Sequence, residues 1–374
     1  MIYLDNAATT KVFDCAIEAA EACMREHFYN PNATYGSGVS AKSRIERDRR
    51  TIADAVGADP SELVFTSCAT ESNNWVIGCA RKRPNGNVVI SAGEHSSVYE
   101  PAIALRNRGI DVRIVPLTSS GSVDIEAFKR LTDKNTTLVS VIHVSNETGI
   151  VNPVKELVGI TRKSAPNAIF HSDGVQGLLK AGEPISSLGV DLYSASAHKL
   201  GAPKGIGLLY IRRGINIQPF MYGGGQERGM RSGTQNTPFI SAFAAAVGKF
   251  AELNDSVRIS AIRNELAEIF TANDCEVIGC GKNSGYILSV CVPNVKAEIL
   301  QNAVHDKGVV IGKGAACSGS KRGNRVLSAM GLSQKQIENC VRISLFSDTS
   351  RDDAVSAARI ILDCAEAIRS GHVG

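Results

Sequence analysis

A chain of 374 residues with 43% hydrophobic side chains is long enough for two domains at about 150 residues each. Its 35 glycines and 12 prolines fall well below the proportion that marks disordered low-complexity chains. The 41 basic and 37 acidic side chains leave a net charge of only +4, so no strong positive field favours nucleic acid or an anionic membrane as a partner.

The sequence also bears on the compartment. Residues 1–6 carry neither a basic segment nor a long apolar core, which predicts no secretory signal. The longest apolar run, near residues 239–248, is too short to cross a bilayer. Most of the ten cysteines lie in apolar-periodic segments, as packed thiols do in a reducing cytoplasm. Cys275 and Cys280 lack a second pair at zinc-knuckle spacing, so we expect a cytoplasmic protein without a metal site, a membrane partner or direct nucleic-acid binding.

Short β-type runs alternate with helical patterns between about residues 62 and 212. The seven runs are Leu63–Phe65, Val88–Ile90, Val112–Val115, Leu138–Val144, Ala168–Phe170, Leu192–Tyr193 and Ile206–Ile211. The helical patterns between them include Ser97–Asn107, Asp124–Leu131 and Pro153–Lys163. This alternation predicts an α/β fold with a mostly parallel seven-stranded sheet covered by helices. Such a sheet binds its ligands at the carboxyl ends of its strands.

A long helical pattern from Thr237 to about Asn273 precedes a shorter series of strands and helices. The later runs are Glu276–Ile278, Ile287–Val292, Val309–Ile311 and Val341–Phe346, and the later helices are Ala297–Lys307 and Arg351–Ile368. Capping-box spacing from Ser333 to Gln336 predicts one further helix start. We therefore predict a large α/β domain over residues 14–250 and a smaller α+β domain over residues 1–13 and 251–374.

Two charged side chains are predicted at the same edge of the large sheet. Lys199 follows a strand-like segment, and Asp173 ends the strand that begins near Ala168. A lysine that can form a Schiff base, beside a carboxylate that keeps a ring nitrogen protonated, is what pyridoxal phosphate needs. A single lysine is more often simply exposed, so the interpretation depends on the pairing with Asp173.

Two segments have features that suit a phosphate. Residues 66–74 join a strand to a helical run, so Ala69 and Thr70 can offer backbone N–H groups and a hydroxyl at a helix N-terminus. Taken alone, that segment is equally well explained as an ordinary helix cap. The glycine-rich loop over residues 223–234 can approach a phosphate, although it matches neither dinucleotide-binding nor Walker spacing.

Cys317 differs from the other nine cysteines in its surroundings. It lies in a glycine-rich stretch over residues 312–323, among the basic side chains of Lys313, Lys321 and Arg322. Nearby positive charge favours the reactive thiolate, and soluble proteins tend to avoid an exposed thiol that has no use. We therefore predict a mobile nucleophile here rather than an incidental surface thiol.

Taken together, nine ordered motifs resemble those of the cysteine desulfurases. They are Tyr3–Thr10, Thr66–Asn74, Gly93–His95, His143–Gly149, Ser172–Gln176, Ser194–Lys199, Arg231–Thr234, Ala316–Ser318 and Arg342–Leu345. The resemblance covers nearly the whole chain. Within the class V aminotransferase family, the chain is similar to the long-loop group of nitrogen-fixation and iron–sulfur housekeeping enzymes. This resemblance implies the type I fold of pyridoxal-phosphate enzymes.

The resemblance implies pyridoxal 5′-phosphate as the cofactor and assigns roles around its ring. Lys199 would bond covalently to the cofactor, and Asp173 would pair with the pyridine nitrogen. Gln176 would bond the phenolic oxygen, and His95 would stack on the ring. The implied catalytic residues are Cys317, Lys199 and His95.

The remaining implied roles concern the phosphate and the substrate. The phosphate ligands would be Ala69, Thr70, Ser196, His198 and Thr234, the last reaching across from the second subunit of a homodimer. Arg342 and Asn146 would bind the substrate carboxylate, and Asn146 is also counted with the cofactor-binding residues. Burial habits alone make His95 a structural histidine and Arg342 a surface cation, and the motif context reverses both interpretations.

The expected reaction converts L-cysteine to L-alanine and leaves a persulfide on Cys317. The persulfide would then pass to a sulfur-acceptor protein such as an iron–sulfur scaffold or a thiolation enzyme. A selenocysteine lyase or an aminotransferase of the same family is an alternative in which Cys317 would be dispensable. A non-catalytic sulfur-relay scaffold is another, against which Lys199 and Asp173 argue. Cys68 stands where the family often has glycine, and we expect phosphate binding to survive this departure. The basic stretch 320–325 is a second departure, and it leaves the acceptor open.

Overall fold

The computed structural model describes residues 1–80, 85–314 and 324–371. The strands are β1 (Ile2–Leu4), β2 (Leu63–Thr66), β3 (Asn87–Ser91), β4 (Asp111–Val115), β5 (Thr136–Ser140), β6 (Ile169–Asp173), β7 (Leu192–Ser196), β8 (Gly207–Ile211), β9 (Glu276–Ile278), β10 (Ile287–Cys291), β11 (Val309–Lys313) and β12 (Cys340–Ser344). The first helices are α1 (Asp14–Glu26), α2 (Gly36–Val56), α3 (Ala69–Gly78), α4 (Ser96–Asn107), α5 (Ile125–Leu131), α6 (Val154–Ser164) and α7 (Ile185–Leu188). The later helices are α8 (Thr237–Leu253), α9 (Ser256–Thr271), α10 (Ala297–Asp306), α11 (Arg325–Ala329), α12 (Gln334–Glu338) and α13 (Arg351–Arg369).

The larger sheet has seven strands in the order β2-β8-β7-β6-β5-β3-β4. Strand β8 runs antiparallel to both of its neighbours, and the pairs from β7 to β4 are all parallel. Buried apolar runs separated by helices produce this arrangement, since helices cover both faces of a parallel sheet. The predicted α/β class and the mostly parallel seven-stranded sheet are confirmed.

The smaller sheet has five strands in the order β1-β11-β12-β10-β9. Strand β1 pairs in parallel with β11, whereas the other pairs are antiparallel. Residues near the start of the chain therefore complete a sheet whose other strands lie beyond residue 275. The capping box at Ser333 is also confirmed, because its hydroxyl accepts a hydrogen bond from the backbone N–H of Gln336 at the start of α12.

Two predicted elements have the wrong extent. The single helix from Thr237 to Asn273 is in fact α8 and α9, because Asp255 caps a new helix by accepting a hydrogen bond from the backbone N–H of Arg258. Strand β5 ends at Ser140 rather than Val144. Beyond Ser140, the backbone N–H groups of Val141 and His143 still bond carbonyl oxygens of β6, but that of Ile142 donates to the side chain of Glu94.

The connections at the carboxyl ends of the parallel strands shape the site. Helix α3 begins three residues after β2, and α4 begins five residues after β3, with His95 as its N-cap residue. Helix N-termini and buried strand ends therefore share one edge of the large sheet. Within the described ranges, no helix combines the length and the apolar character that a bilayer crossing requires.

Candidate active site

A cavity of about 360 Å³ lies at the carboxyl ends of β6 and β7. Ten of the twelve predicted site residues line it: Ala69, Thr70, His95, Asn146, Asp173, Gln176, Ser196, His198, Lys199 and Arg342. Thr234 instead lines a different cavity, together with Glu227 and Arg231. Cys317 lies outside the described residues.

Lys199 closes one side of this cavity. Its Nζ donates hydrogen bonds to the carbonyl oxygens of Ala7 at 2.6 Å and Ala8 at 2.5 Å. Burial, with a further contribution from the positive charge of Arg342, lowers the pKa of Lys199 to about 8. About a tenth of the amine is therefore uncharged at pH 7, and this is the form that can act as a nucleophile or accept a proton.

Asp173 ends β6 and is almost completely buried. Its Oδ2 accepts a hydrogen bond from Asn73 Nδ2 at 2.7 Å, and its Oδ1 accepts one from the backbone N–H of Val175 at 3.0 Å. These two bonds fix the carboxylate in orientation. Asn73 Nδ2 also donates to the hydroxyl of Ser97 at 2.8 Å.

His95 joins the same network at the start of α4. Its Nδ1 lies 2.8 Å from the Ser97 hydroxyl oxygen and accepts a hydrogen bond from the backbone N–H of Ser97 at 3.2 Å. Because Nδ1 accepts that bond, the ring proton is assigned to Nε2. A continuous chain of hydrogen bonds therefore runs from Asp173 through Asn73 and Ser97 to the imidazole.

The N-terminus of α3 offers an anion site. Cys68 occupies the N-cap position, and its side chain makes no capping hydrogen bond to the helix. The interpretation of residues 66–74 as an ordinary side-chain cap is therefore not supported. Ala69 and Thr70 form the first turn and line the cavity, where free N–H groups and the helix dipole favour a phosphate.

Ser196, His198 and Gln176 line the same cavity from the ends of β6 and β7. Burial, with a further contribution from the positive charge of Lys199, lowers the pKa of His198 to about 4, so this ring is neutral at physiological pH. Its Nδ1 lies 3.1 Å from the hydroxyl oxygen of Thr9. The Gln176 amide nitrogen donates to the carbonyl oxygen of Ala7 at 3.0 Å.

Arg342 lies on β12, so a residue of the smaller sheet also lines the cavity. Its Nη1 donates to the carbonyl oxygen of Asn146 at 2.9 Å, and its Nη2 donates to Asp5 Oδ1 at 3.0 Å. Arg342 Nε and Asn146 Oδ1 are buried and have no hydrogen-bond partner among the residues that the structure describes. Buried polar atoms are normally bonded, so this part of the cavity is suited to a polar ligand.

Several residues of the site were missed by the sequence analysis. Asp5, Ala7 and Ala8 lie in the first motif, and Asn73 and Glu94 lie in two others, but no role was assigned to any of the five. Burial chiefly raises the pKa of Glu94 to about 8, so its carboxyl group is mostly protonated at neutral pH. Asn73 and Glu94 could have been identified from the sequence as polar residues inside motifs. Ala7 and Ala8 could not, because they contact Lys199 through backbone carbonyl groups, which no side-chain pattern indicates.

The donor set of the cavity fits pyridoxal 5′-phosphate. A helix N-terminus without a side-chain cap suits the phosphate, and the amine of Lys199 is partly uncharged. The buried carboxylate of Asp173 is held in place to accept a hydrogen bond from a protonated ring nitrogen. A fourth group, the guanidinium of Arg342, remains available for the carboxylate of an amino-acid substrate.

Comparison with known proteins agrees with this geometry. A family model described as "Aminotransferase class-V" matches residues 2–356. A cysteine desulfurase of Bradyrhizobium diazoefficiens is 35% identical over 99% of this chain and 95% of the relative. A solved structure described as a NifS-like protein superposes with a TM-score of 0.90 at 33% identity, covering 98% of this chain and 99% of that one. Another, described as SspA in complex with cysteine, has a TM-score of 0.80 at 30% identity, covering 94% of this chain and 100% of that one.

Proposed function

This chain belongs to the aminotransferase class-V family, and from that premise we propose that it is a pyridoxal-phosphate-dependent cysteine desulfurase of the long-loop type. The reaction converts L-cysteine to L-alanine and leaves the sulfur as a persulfide on Cys317. The observation that carries the proposal is the presence, in one cavity, of a half-buried lysine with a pKa of about 8 and a buried arginine whose Nε has no hydrogen-bond partner among the described residues.

The residues that would hold the cofactor divide by its parts. The first turn of α3, with Ser196 and His198, would bind the phosphate. Asp173 would bond the ring nitrogen, and Lys199 would bond the aldehyde carbon. When bound, pyridoxal phosphate draws electrons from the α-carbon of an amino acid. Asn73 holds Asp173 in place, and the buried setting strengthens the effect of that carboxylate on the ring nitrogen.

The substrate is positioned by its carboxylate. Arg342 binds it with its planar guanidinium, whose Nε has no hydrogen-bond partner among the described residues and whose shape matches the two carboxylate oxygens. Asp5 and the carbonyl of Asn146 fix the guanidinium from the other side. Lys199, partly uncharged at neutral pH, then accepts the proton from the substrate α-carbon and returns a proton when alanine forms.

Sulfur transfer needs a nucleophile that can reach the substrate thiol. The Cys317 thiolate forms the new S–S bond as the bond from sulfur to the substrate β-carbon breaks, and a proton replaces sulfur on that carbon. Basic neighbours support the thiolate state. The persulfide then passes to a sulfur-acceptor protein, for example an iron–sulfur scaffold or a thiolation enzyme.

The proposal includes a homodimer in which Thr234 of each subunit completes the phosphate site of the other. The position of Thr234 outside the main cavity of its own subunit supports this arrangement. It also includes a division into residues 14–250 and residues 1–13 with 251–374. The division is supported by the composition of the sheets, since β2 to β8 form the larger sheet and β1 with β9 to β12 form the smaller one.

Mass spectrometry of the purified protein after treatment with L-cysteine tests the proposal. We expect one additional sulfur atom on the peptide that contains Cys317, together with release of alanine. Cys317→Ser should retain cofactor and cysteine binding but give neither the persulfide nor alanine at the normal rate, because a hydroxyl supplies no thiolate-like nucleophile at neutral pH. Cys15→Ser is the matched control and should leave sulfur transfer intact.

Other outcomes identify the alternatives. Normal alanine release by Cys317→Ser would contradict the mechanism and favour a lyase. Amino transfer to a keto acid without sulfur release would favour an aminotransferase. A wild-type protein that binds no pyridoxal phosphate would favour a non-catalytic scaffold.

A further inference from the structure

Arg325 makes three contacts around one short segment of the large sheet. It is the first residue of α11, and its Nη1 and Nη2 donate hydrogen bonds to the carbonyl oxygens of Ala92 and Glu94. Its guanidinium carbon also lies 3.9 Å from the centre of the Tyr99 ring. The planar group therefore uses both its edge, for hydrogen bonds, and its face, for a cation–π contact.

These contacts lie on both sides of His95. Ala92 and Glu94 belong to the connection that leads from β3 to His95, and Tyr99 lies in the first turn of α4. The backbone N–H of Tyr99 donates to the carbonyl oxygen of His95 at 3.0 Å. One guanidinium therefore holds the residues before His95 and the helical turn after it.

The position of Arg325 itself is fixed by its neighbour. Asn324 caps α11 by accepting hydrogen bonds from the backbone N–H groups of Val326 at 3.0 Å and Leu327 at 3.2 Å. Its Nδ2 also donates to Glu147 Oε2 at 2.7 Å. Asn324 and Arg325 are thus tied to both the Asn146–Glu147 segment and the segment that carries His95.

We propose that Arg325 is a positioning residue for His95, which it holds through the carbonyl groups of Ala92 and Glu94 and the ring of Tyr99. The proposal rests on the proposed function for the role of His95 beside the cofactor. It also explains the basic residue at the end of the 320–325 stretch, to which no function had been assigned. A lysine cannot replace this group fully, because an ammonium has no planar face and no fixed fork of donors.

Arg258 provides a matched control for the general effect of losing an arginine that bonds two backbone carbonyl groups. It is also half-buried, and its Nη1 and Nη2 likewise donate to two backbone carbonyl oxygens, those of Thr349 and Ser347. Those contacts join α9 to the segment after β12. Arg258→Ala should therefore lower stability by an amount comparable to Arg325→Ala without changing the surroundings of His95.

Hydrogen exchange on the full-length purified protein gives a readout that is independent of turnover. In Arg325→Ala, backbone amides over residues 93–99 should exchange about 10-fold to 100-fold faster, as expected for the loss of bonds to a charged donor. Amides of α8 should keep their wild-type exchange rates, and Arg258→Ala should keep the wild-type rates over residues 93–99. Unchanged exchange over residues 93–99 in Arg325→Ala would overturn the proposal.

Steady-state kinetics with L-cysteine tests the link to His95. Arg325→Ala should lower kcat about 10-fold or more while KM for cysteine stays within about 2-fold, because misplacing a group beside the cofactor slows the chemical step. Arg325→Lys should recover only part of kcat. A wild-type kcat in Arg325→Ala would refute the positioning role, whereas absence of desulfurase activity in the wild type would refute the proposed function and leave the exchange result standing.

Discussion

Arg49 and Arg342 are both deeply buried, with 1% and 6% of their surface exposed, but their guanidinium groups are bonded very differently. Arg49 makes five side-chain hydrogen bonds, to Glu46, to the Leu63 carbonyl oxygen and to both carboxylate oxygens of Glu227. A guanidinium has five N–H groups. Every donor of Arg49 is therefore used within the protein.

Arg342 uses far fewer of its donors. Its side chain makes two hydrogen bonds, to Asn146 and Asp5, and its Nε is bonded to none of the described residues. Leaving buried donors unbonded costs free energy, and a ligand carboxylate would remove that cost. Burial alone therefore does not separate a structural arginine from a binding one, whereas the count of unused donors does.

Arg49, whose donors are all bonded, holds the loop that contains Glu227. Glu227 also accepts hydrogen bonds from the backbone N–H of Phe65 at 3.0 Å and from Gln235 at 2.7 Å. Both Glu227 and Arg228 have left-handed backbone conformations, with φ of 47° and 58°. Burial alone would raise the pKa of Glu227, but the hydrogen bond and charge of Arg49 outweigh that effect and lower it.

The largest effect is expected from Glu227→Gln. This change removes the buried carboxylate partner of Arg49 and leaves only the exposed Glu46 as its counter-charge, so the free energy of unfolding should fall by about 3–5 kcal/mol. Urea denaturation measures it. Glu46→Gln is the control and should cost at most about 1 kcal/mol, since Glu46 is largely exposed. A cost below about 1 kcal/mol for Glu227→Gln would contradict the structural role of the pair.

Arg342→Ala should show the opposite pattern. We expect cysteine binding to weaken by about 1.5–3 kcal/mol, the range for a hydrogen bond to a charged group, with cofactor content unchanged. The dependence of the rate on cysteine concentration measures this loss. Arg342→Lys should rescue little, because the planar fork is lost. Normal saturation with cysteine in the alanine variant would assign the carboxylate to another residue.

A smaller effect is expected on the pH dependence of cofactor uptake, and it should distinguish Arg342 from Arg49. The positive charge of Arg342 contributes to the lowered pKa of Lys199, which is about 8. In the cofactor-free wild-type chain, the rate of pyridoxal phosphate uptake should rise with pH and level off above about 8, as the amine loses its proton. Removing the Arg342 charge favours the protonated amine, so Arg342→Ala should shift this inflection to higher pH by less than about 1 unit.

The rate of uptake is measured from the absorbance of the bound cofactor. Glu227→Gln should leave the inflection where it is in the wild type, because neither Arg49 nor Glu227 is among the charged groups that shift the Lys199 pKa. An inflection near 10.5 in the wild type would show that the Lys199 pKa is not lowered, and an unshifted one in Arg342→Ala would remove the electrostatic link between the two residues.

The sequence predicted much of the fold and of the cavity because both follow from local patterns. Alternating apolar runs and helices place the ends of β6 and β7 at one sheet edge, and this juxtaposes Asp173 with Lys199. The pairing of Arg49 with Glu227 was not predicted, since the two residues are 178 positions apart and the glycine-rich loop that contains Glu227 was interpreted only as a loop that can approach a phosphate. Such a contact depends on the packing of helix α2 against a loop, which no periodicity encodes.

The break between α8 and α9 was missed for a different reason. Apolar side chains continue at helical spacing on both sides of it, and only the capping carboxylate of Asp255 marks the new start. Asn73 was passed over because its motif was interpreted through Ala69 and Thr70. The role of Cys317 stays a prediction, since it lies outside the described residues.

The segment that follows β1 has a consequence for the order of events during synthesis. The carbonyl groups of Ala7 and Ala8 hold the amine of Lys199, and the backbone N–H of Ala7 is bonded to the hydroxyl of Ser344, which is 337 residues further along the chain. Translation therefore exposes one wall of the cavity long before the ribosome releases the strand that supports it. A nascent chain that stops short of β12 lacks both Arg342 and the anchor for residues 5–8. The ability to retain cofactor should consequently appear late and all at once, when the C-terminal strands emerge, rather than growing with chain length.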